Sequence, residues 1–105
     1  MAVAMGKVLR VVAQQFGVSV VEIKSARRTR HVVPARLIAA YLAHTASGMT
    51  PREIGSRLGG RDYTNIVMYC RAVARHMDED EEFKRLVEDL IVRVQSDRKS
   101  SATEC

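Results

Sequence analysis

The sequence predicts an all-α fold: a helix-turn-helix bundle carrying a basic loop and an acidic, amphipathic C-terminal helix. Three observations predict it. Hydrophobic residues make up 47% of the chain but aromatics only 5%, and six Gly and two Pro leave long stretches unbroken, a composition that favours helices over a sandwich or barrel. Apolar positions recur three and four residues apart, the period of a helix with one buried face. Charge, finally, is divided along the chain. Residues 1–76 hold twelve Lys and Arg against three acids, a balance of +9, whereas residues 77–105 hold five bases against nine acids, a balance of −4. That division describes a polyanion-binding body with an acidic C-terminal element. A length of 105 residues suits one domain, expected over residues 1–97, with 98–105 as a polar, aperiodic, disordered tail.

Helix one is expected over residues 4–16, with Val8, Leu9, Val11 and Val12 at helical spacing and Gly17 as its left-handed closing residue. Ser19-Val-Val-Glu22 has the form of a capping box and opens a short turn that points Val20 or Val21 inward with Ile23. The loop that follows, Lys24-Ser-Ala-Arg27-Arg28-Thr-Arg30-His31, concentrates cations and offers no apolar anchor. Pro34 suits the first turn of a third helix running to about Ala46, with Leu37, Ile38, Tyr41 and Leu42 on one face and Gly48 as its stop. Thr50-Pro51-Arg52-Glu53 combines a Thr cap, Pro at the first helical position and Glu three residues after the cap, so a short helix starts there. After Gly59-Gly60 a longer helix opens around Asp62, with Ile66, Cys70, Val73 and Met77 as its apolar stripe. The last helix is expected behind Asp78, over roughly 79–97, with Phe83, Leu86, Val87, Leu90, Ile91 and Val94 in one stripe that folds back on helix one.

Short helix, glycine turn and longer helix make a helix-turn-helix, whose second helix enters the major groove of DNA. Its first turn supplies Arg61, Asp62, Tyr63, Thr64 and Asn65. Asn pairs bidentately with adenine, Asp accepts from cytosine, and Thr offers a hydroxyl or a methyl. Asp62 and Thr64 are equally ordinary helix-start residues, which an αα-hairpin that never meets DNA would also carry. Arg27 and Arg28 of the basic loop are of the kind that a narrow minor groove attracts, Arg30 of the same loop is a further DNA-binding candidate, and Arg36, Arg57, Arg61, Arg71 and Arg75 are phosphate candidates.

Other chemistries find little support. His31, His44 and His76 are dispersed, without a Cys or carboxylate at ligand or triad spacing, so no catalytic site, metal or cofactor is expected. Cys70 falls on an apolar stripe as a buried core residue, Cys105 ends the chain, and both are expected reduced. Glu79, Asp80, Glu81 and Glu82 read as favourable charge at a helix N-terminus. The N-terminal apolar segment is broken by Lys7 and Arg10, which argues against a membrane span or signal peptide and for a cytoplasmic protein, to which DNA binding adds the expectation of nucleoid association.

Gly59-Gly-Arg-Asp-Tyr-Thr-Asn65, preceded by Glu53-Ile-Gly55 and by Lys24-Ser-Ala-Arg-Arg-Thr-Arg30, resembles the C-terminal DNA-binding domain of the bacterial replication initiator DnaA, over about residues 4–95. The resemblance implies binding to short asymmetric duplex boxes. It assigns Arg28 to the minor groove, Arg36 to the DNA backbone, and Asp62 and Thr64 to base reading, with Pro51, Arg52 and Tyr69 at positions that also face DNA. Tyr63 stands where the family has His, Asn65 where it has a second Thr, Pro51-Arg52 where it often has Leu-Pro, and Tyr69 where a small Ala is common; a phenol at Tyr69 would crowd a base. The only Gly-Lys is Gly6-Lys7, so there is no phosphate-binding loop for a nucleotide. Together with Met1 and the unusual tail, this leads to the expectation of a stand-alone relative without the ATPase domain. The function expected is sequence-preferring duplex DNA binding, by a monomer, that regulates replication initiation or transcription without nucleotide hydrolysis. The alternative is a degenerate domain of the same fold that acts as a protein-interaction module on replication-regulatory proteins, with the long acidic amphipathic helix as its docking or dimer surface.

Overall fold

A computed structural model describes residues 4–103, and the side chains of residues 4–95. Six helices follow in order: α1 (Met5–Phe16), α2 (Val20–Lys24), α3 (Val32–Ser47), α4 (Pro51–Arg57), α5 (Tyr63–Glu79) and α6 (Glu81–Thr103). No strand occurs among the described residues. The core is one cluster: Val8, Leu9 and Val12 of α1, Ile23 of α2, Ile54 and Leu58 beside the turn, Ile66 and Val73 of α5, and Val87, Leu90 and Val94 of α6, gathered around α3.

Local chemistry explains most boundaries. Gly17 and Gly48 adopt left-handed backbone and close α1 and α3. Both capping boxes form: Ser19 Oγ accepts from the Glu22 amide and Thr50 Oγ1 from the Glu53 amide, and in return the carboxylate of each Glu accepts from the amide of the cap residue. In α2 Ile23 is buried and Val20 half-buried, while Val21 faces solvent. The backbone hydrogen bond to the Glu22 carboxylate holds its pKa below the usual carboxylate value. His44 sits exposed near the end of α3, its Nδ1 3.0 Å from the Met49 carbonyl oxygen.

Helix α3 departs from the single-faced reading. Ala35, Ala39, Ala40 and Ala43 are as buried as Ile38 and Leu42, while Leu37 and Tyr41 are only half-buried. The methyl side chains let neighbouring helices approach the central one on several sides, which a periodic stripe cannot indicate.

The corner between α5 and α6 lies two residues later than expected. Helix α5 runs through Asp78 and Glu79, and Asp80 is the cap: its Oδ1 accepts from the amides of Glu82 and Phe83 at 3.0 and 3.2 Å. His76 stacks on Phe83 with centroids 3.9 Å apart and lies 3.6 Å from Asp80. Glu81 and Glu82 occupy the first turn of α6, next to the positive end of its dipole. The helix continues beyond residue 97, where sequence patterning ends it, to Thr103; no Gly or Pro interrupts that stretch. Residues 104 and 105, and with them Cys105, lie outside the described residues. Helix α6 folds back so that Val87, Leu90 and Val94 seal the core. A hydrogen bond from Arg93 Nη1 to Gln15 Oε1, 3.0 Å, ties it to α1. No helix among the described residues is long and apolar enough to cross a membrane.

Candidate nucleic-acid interface

The turn between α4 and α5 is built on glycine. The Arg61 amide donates to the Gly55 carbonyl at 2.8 Å, and a Cβ on Gly55 would sit 2.1 Å from the Arg61 carbonyl oxygen, so only glycine lets the chain double back this tightly. Gly59 has φ +82°, and a Cβ there would fall 2.1 Å from the Lys24 carbonyl oxygen. The turn therefore packs directly against the start of the basic loop.

Two guanidinium groups complete the junction. Arg61 donates from Nη1 to Leu58 O (2.6 Å) and Lys24 O (3.3 Å), and from Nη2 to Ser25 O (2.5 Å). Arg36 reaches the same loop from α3. Its Nε donates to Ile23 O (2.8 Å), and its Nη2 lies within hydrogen-bonding distance of the carbonyls of Ser25 (2.8 Å), Arg27 (2.8 Å) and Glu22 (3.2 Å). Burial, and after it the neighbouring Arg61 charge, lower the pKa of Arg36. The expectation that Arg36 contacts the DNA backbone is corrected here: with 4% of its surface exposed, it is a strut beneath the loop. Arg61 is likewise drawn inward, half-buried, rather than free for a phosphate. The reason is shared. A loop without apolar anchors has carbonyls to satisfy, and guanidinium is the side chain with enough donors in a fixed fork to satisfy several together.

The remaining loop cations face outward. Arg28 and Arg30 are exposed and make no hydrogen bond or ion pair among the described residues. Arg27 is exposed too, with a 4.0 Å ion pair to Glu22.

On α5, Asp62 occupies the cap position but forms no side-chain capping bond, so its carboxylate is available to a ligand. Thr64 and Asn65 are exposed, and their side chains are unengaged among the described residues. Tyr63 is 46% exposed, with the Arg52 guanidinium 4.8 Å over its ring, which ties the starts of α4 and α5 together. Pro51 is half-buried at the first position of α4.

Tyr69 is the second correction. It does not stand on the outer face where it would crowd a base; it is half-buried and packs against the core. Its position between Ile66 and Val73 puts it on the core stripe, and that spacing was the signal that could have shown it. Cys70 is half-buried rather than fully enclosed, and the desolvation it does experience raises its thiol pKa. Sequence reasoning passed over Met68, exposed on the Thr64 side of α5.

Arg57, Arg71 and Arg75 are exposed. One surface thus gathers the first turn of α5, the Arg52–Tyr63 pair and the outward cations of a loop locked to the helix-turn-helix by Arg61 and Gly59.

The bacterial DnaA protein helix-turn-helix model matches residues 5–73, the segment from α1 into α5. The chain belongs to that family. Among similar proteins are chromosomal replication initiator proteins DnaA. That of Lactobacillus delbrueckii subsp. bulgaricus is 37% identical over 84 residues, 80% of this chain and 18% of the relative. That of Chloroflexus aurantiacus is 31% identical over 88 residues, 84% of this chain and 18% of the relative. That of Thermodesulfovibrio yellowstonii is 29% identical over 85 residues, 81% of this chain and 19% of the relative. The chain spans less than a fifth of the length of these DnaA relatives. The DnaA family match takes in Arg36, the basic loop, the glycine turn with Arg61, and α5 as far as Val73.

Proposed function

We propose that this chain binds duplex DNA with a sequence preference, at sites akin to DnaA boxes, and thereby regulates replication initiation or transcription at the nucleoid without hydrolysing nucleotide. The observation that carries this reading is the locked pair of DNA-facing elements. Arg61 and Gly59 hold the basic loop against the turn that launches α5, so outward Arg28 and the unengaged Asp62, Thr64 and Asn65 belong to one rigid surface. Arg in the minor groove and polar side chains in the adjacent major groove then act as one reader. Asp62, without a capping bond, can accept from cytosine, and Asn65 can pair with adenine. Arg71, Arg75 and Arg57 add phosphate contacts, and Arg52 positions the Tyr63 ring at the rim. The domain that does this is residues 1–97, as a monomer. The protein-interaction alternative is disfavoured by one observation: Val87, Leu90 and Val94, the stripe it would offer to a partner, are buried in the chain's own core.

Titration of a duplex carrying a DnaA-type box against a scrambled duplex, over a range of salt, tests the reading. Neutralisation of roughly four to seven phosphates gives a log–log salt slope of about −4 to −6, with the box duplex bound more tightly throughout. A slope near zero, or equal affinity for both duplexes at every salt, would overturn it.

A further inference from the structure

The outward face of α5 carries an apolar side chain that none of the roles above uses. Met68 is 59% exposed, whereas Met77 of the same helix packs against the core. Met68 stands four residues after Thr64, three after Asn65 and three before Arg71, all of them exposed. Helical geometry sets these side chains on one strip, with Met68 one turn beyond the residues nearest the helix start.

Single exposed hydrophobics are ordinary on protein surfaces; the setting of this one is not. Its strip holds no acid from Tyr63 to Met77, and it continues into Arg71 and Arg75, which have no carboxylate partner among the described residues. Such a combination fits an anionic partner with an apolar group set back between its charges. Duplex DNA has one apolar group on its major-groove base edges, the C5 methyl of thymine.

We infer that Met68 reads a thymine methyl, so that the preferred duplex carries a thymine at the register of the second turn of α5. This rests on the duplex-DNA reading above and adds to it a base identity and the residue that selects it. Packing one methyl against the thioether chain strengthens binding roughly three- to fivefold.

The test starts with the full chain selecting duplexes from a pool whose randomised core is about one helical turn long. The tightest duplex is then resynthesised with each thymine in turn replaced by deoxyuridine, which removes the methyl and nothing else. The expected result is one thymine at which replacement weakens binding roughly three- to fivefold. Met68→Ala binds the thymine and uracil duplexes equally at that position, and Met68→Leu preserves the difference. Indifference to every replacement, or undiminished thymine preference in Met68→Ala, would overturn the inference while leaving the DNA reading intact. Failure to bind any duplex at low salt would overturn the DNA reading and this inference together. Self-association lost in Met68→Ala, with no thymine effect, would assign the patch to a second copy of the chain instead.

Discussion

Arg36 and Arg28 are eight positions apart and chemically identical, yet they have opposite surroundings. Arg36 lies under the loop with four backbone carbonyls within hydrogen-bonding reach, and Arg28 has none of the described residues for a partner. Replacing Arg36 by Ala leaves buried carbonyls unsatisfied, and hydrogen bonds from a charged donor contribute more than neutral ones. Arg36→Ala should therefore lower stability by about 2–4 kcal/mol in denaturant melts and disorder the 24–30 loop. Arg36→Lys should recover only part of this, because an ammonium lacks the planar fork; full recovery would show that charge alone suffices. Arg28→Ala should behave differently, leaving the melt unchanged while weakening duplex binding by roughly 1–3 kcal/mol and relaxing preference for AT pairs beside the major-groove site. Asn65→Ala should cost a similar 1–3 kcal/mol, roughly, at one base pair and little on random duplex. Equal losses on specific and random duplexes for both variants would mean that neither residue reads sequence.

Among the elements, α6 is the one whose role separates a self-contained domain from a surface awaiting a partner. Its Val87, Leu90 and Val94 are buried with the apolar residues of α1, and the Arg93–Gln15 bond adds a polar tie. Full burial of such side chains contributes about 1.5–3 kcal/mol each, so their loss together rivals the whole stability of a small domain. Truncation after Met77 should leave a fragment that melts far earlier than the full chain, or fails to fold, as followed by circular dichroism. A folded, soluble 1–77 fragment, alongside a full-length protein that dimerises with concentration, would show that α6 serves association instead. The locking of loop to turn belongs to this scale as well. Gly59→Ala would drive a Cβ into the Lys24 carbonyl at a left-handed backbone position. It should therefore perturb loop and turn signals together in amide spectra, whereas loop substitutions without such a clash should not.

At the scale of the whole molecule, the division of charge governs how the protein approaches a polyanion. The basic body carries the outward Arg residues of the loop and α5, and the corner between α5 and α6 carries Glu79, Asp80, Glu81 and Glu82. Acids held on the same rigid body repel DNA that approaches in the wrong orientation, over a range set by the ionic strength. Neutralising Glu79, Glu81 and Glu82 to Gln should raise affinity for random duplex at low salt, where the Debye length exceeds roughly 10 Å, and the gain should fade as salt rises. Circular dichroism would check that α6 survives the loss of charge at its first turn, and an unchanged random-duplex affinity would show that these acids do not face the ligand.

Features encoded within a few residues were legible in the sequence alone: the helix count, both capping boxes, the glycine stops, the glycine turn before α5 and the polarity of its first turn. Local hydrogen bonds and backbone freedom set these, and they need no distant partner. The inward turn of Arg36 and Arg61, the burial of Tyr69, the enclosure of α3 by small side chains and the exposure of Met68 were decided by the tertiary structure. Arg is at once a cation that suits solvent or phosphate and a cluster of donors that suits carbonyls. Which of these prevails depends on whether folding brings unsatisfied carbonyls within reach. For Arg36 it brings four, from α2 and the loop after it, nine to fourteen residues away, and for Arg28 it brings none.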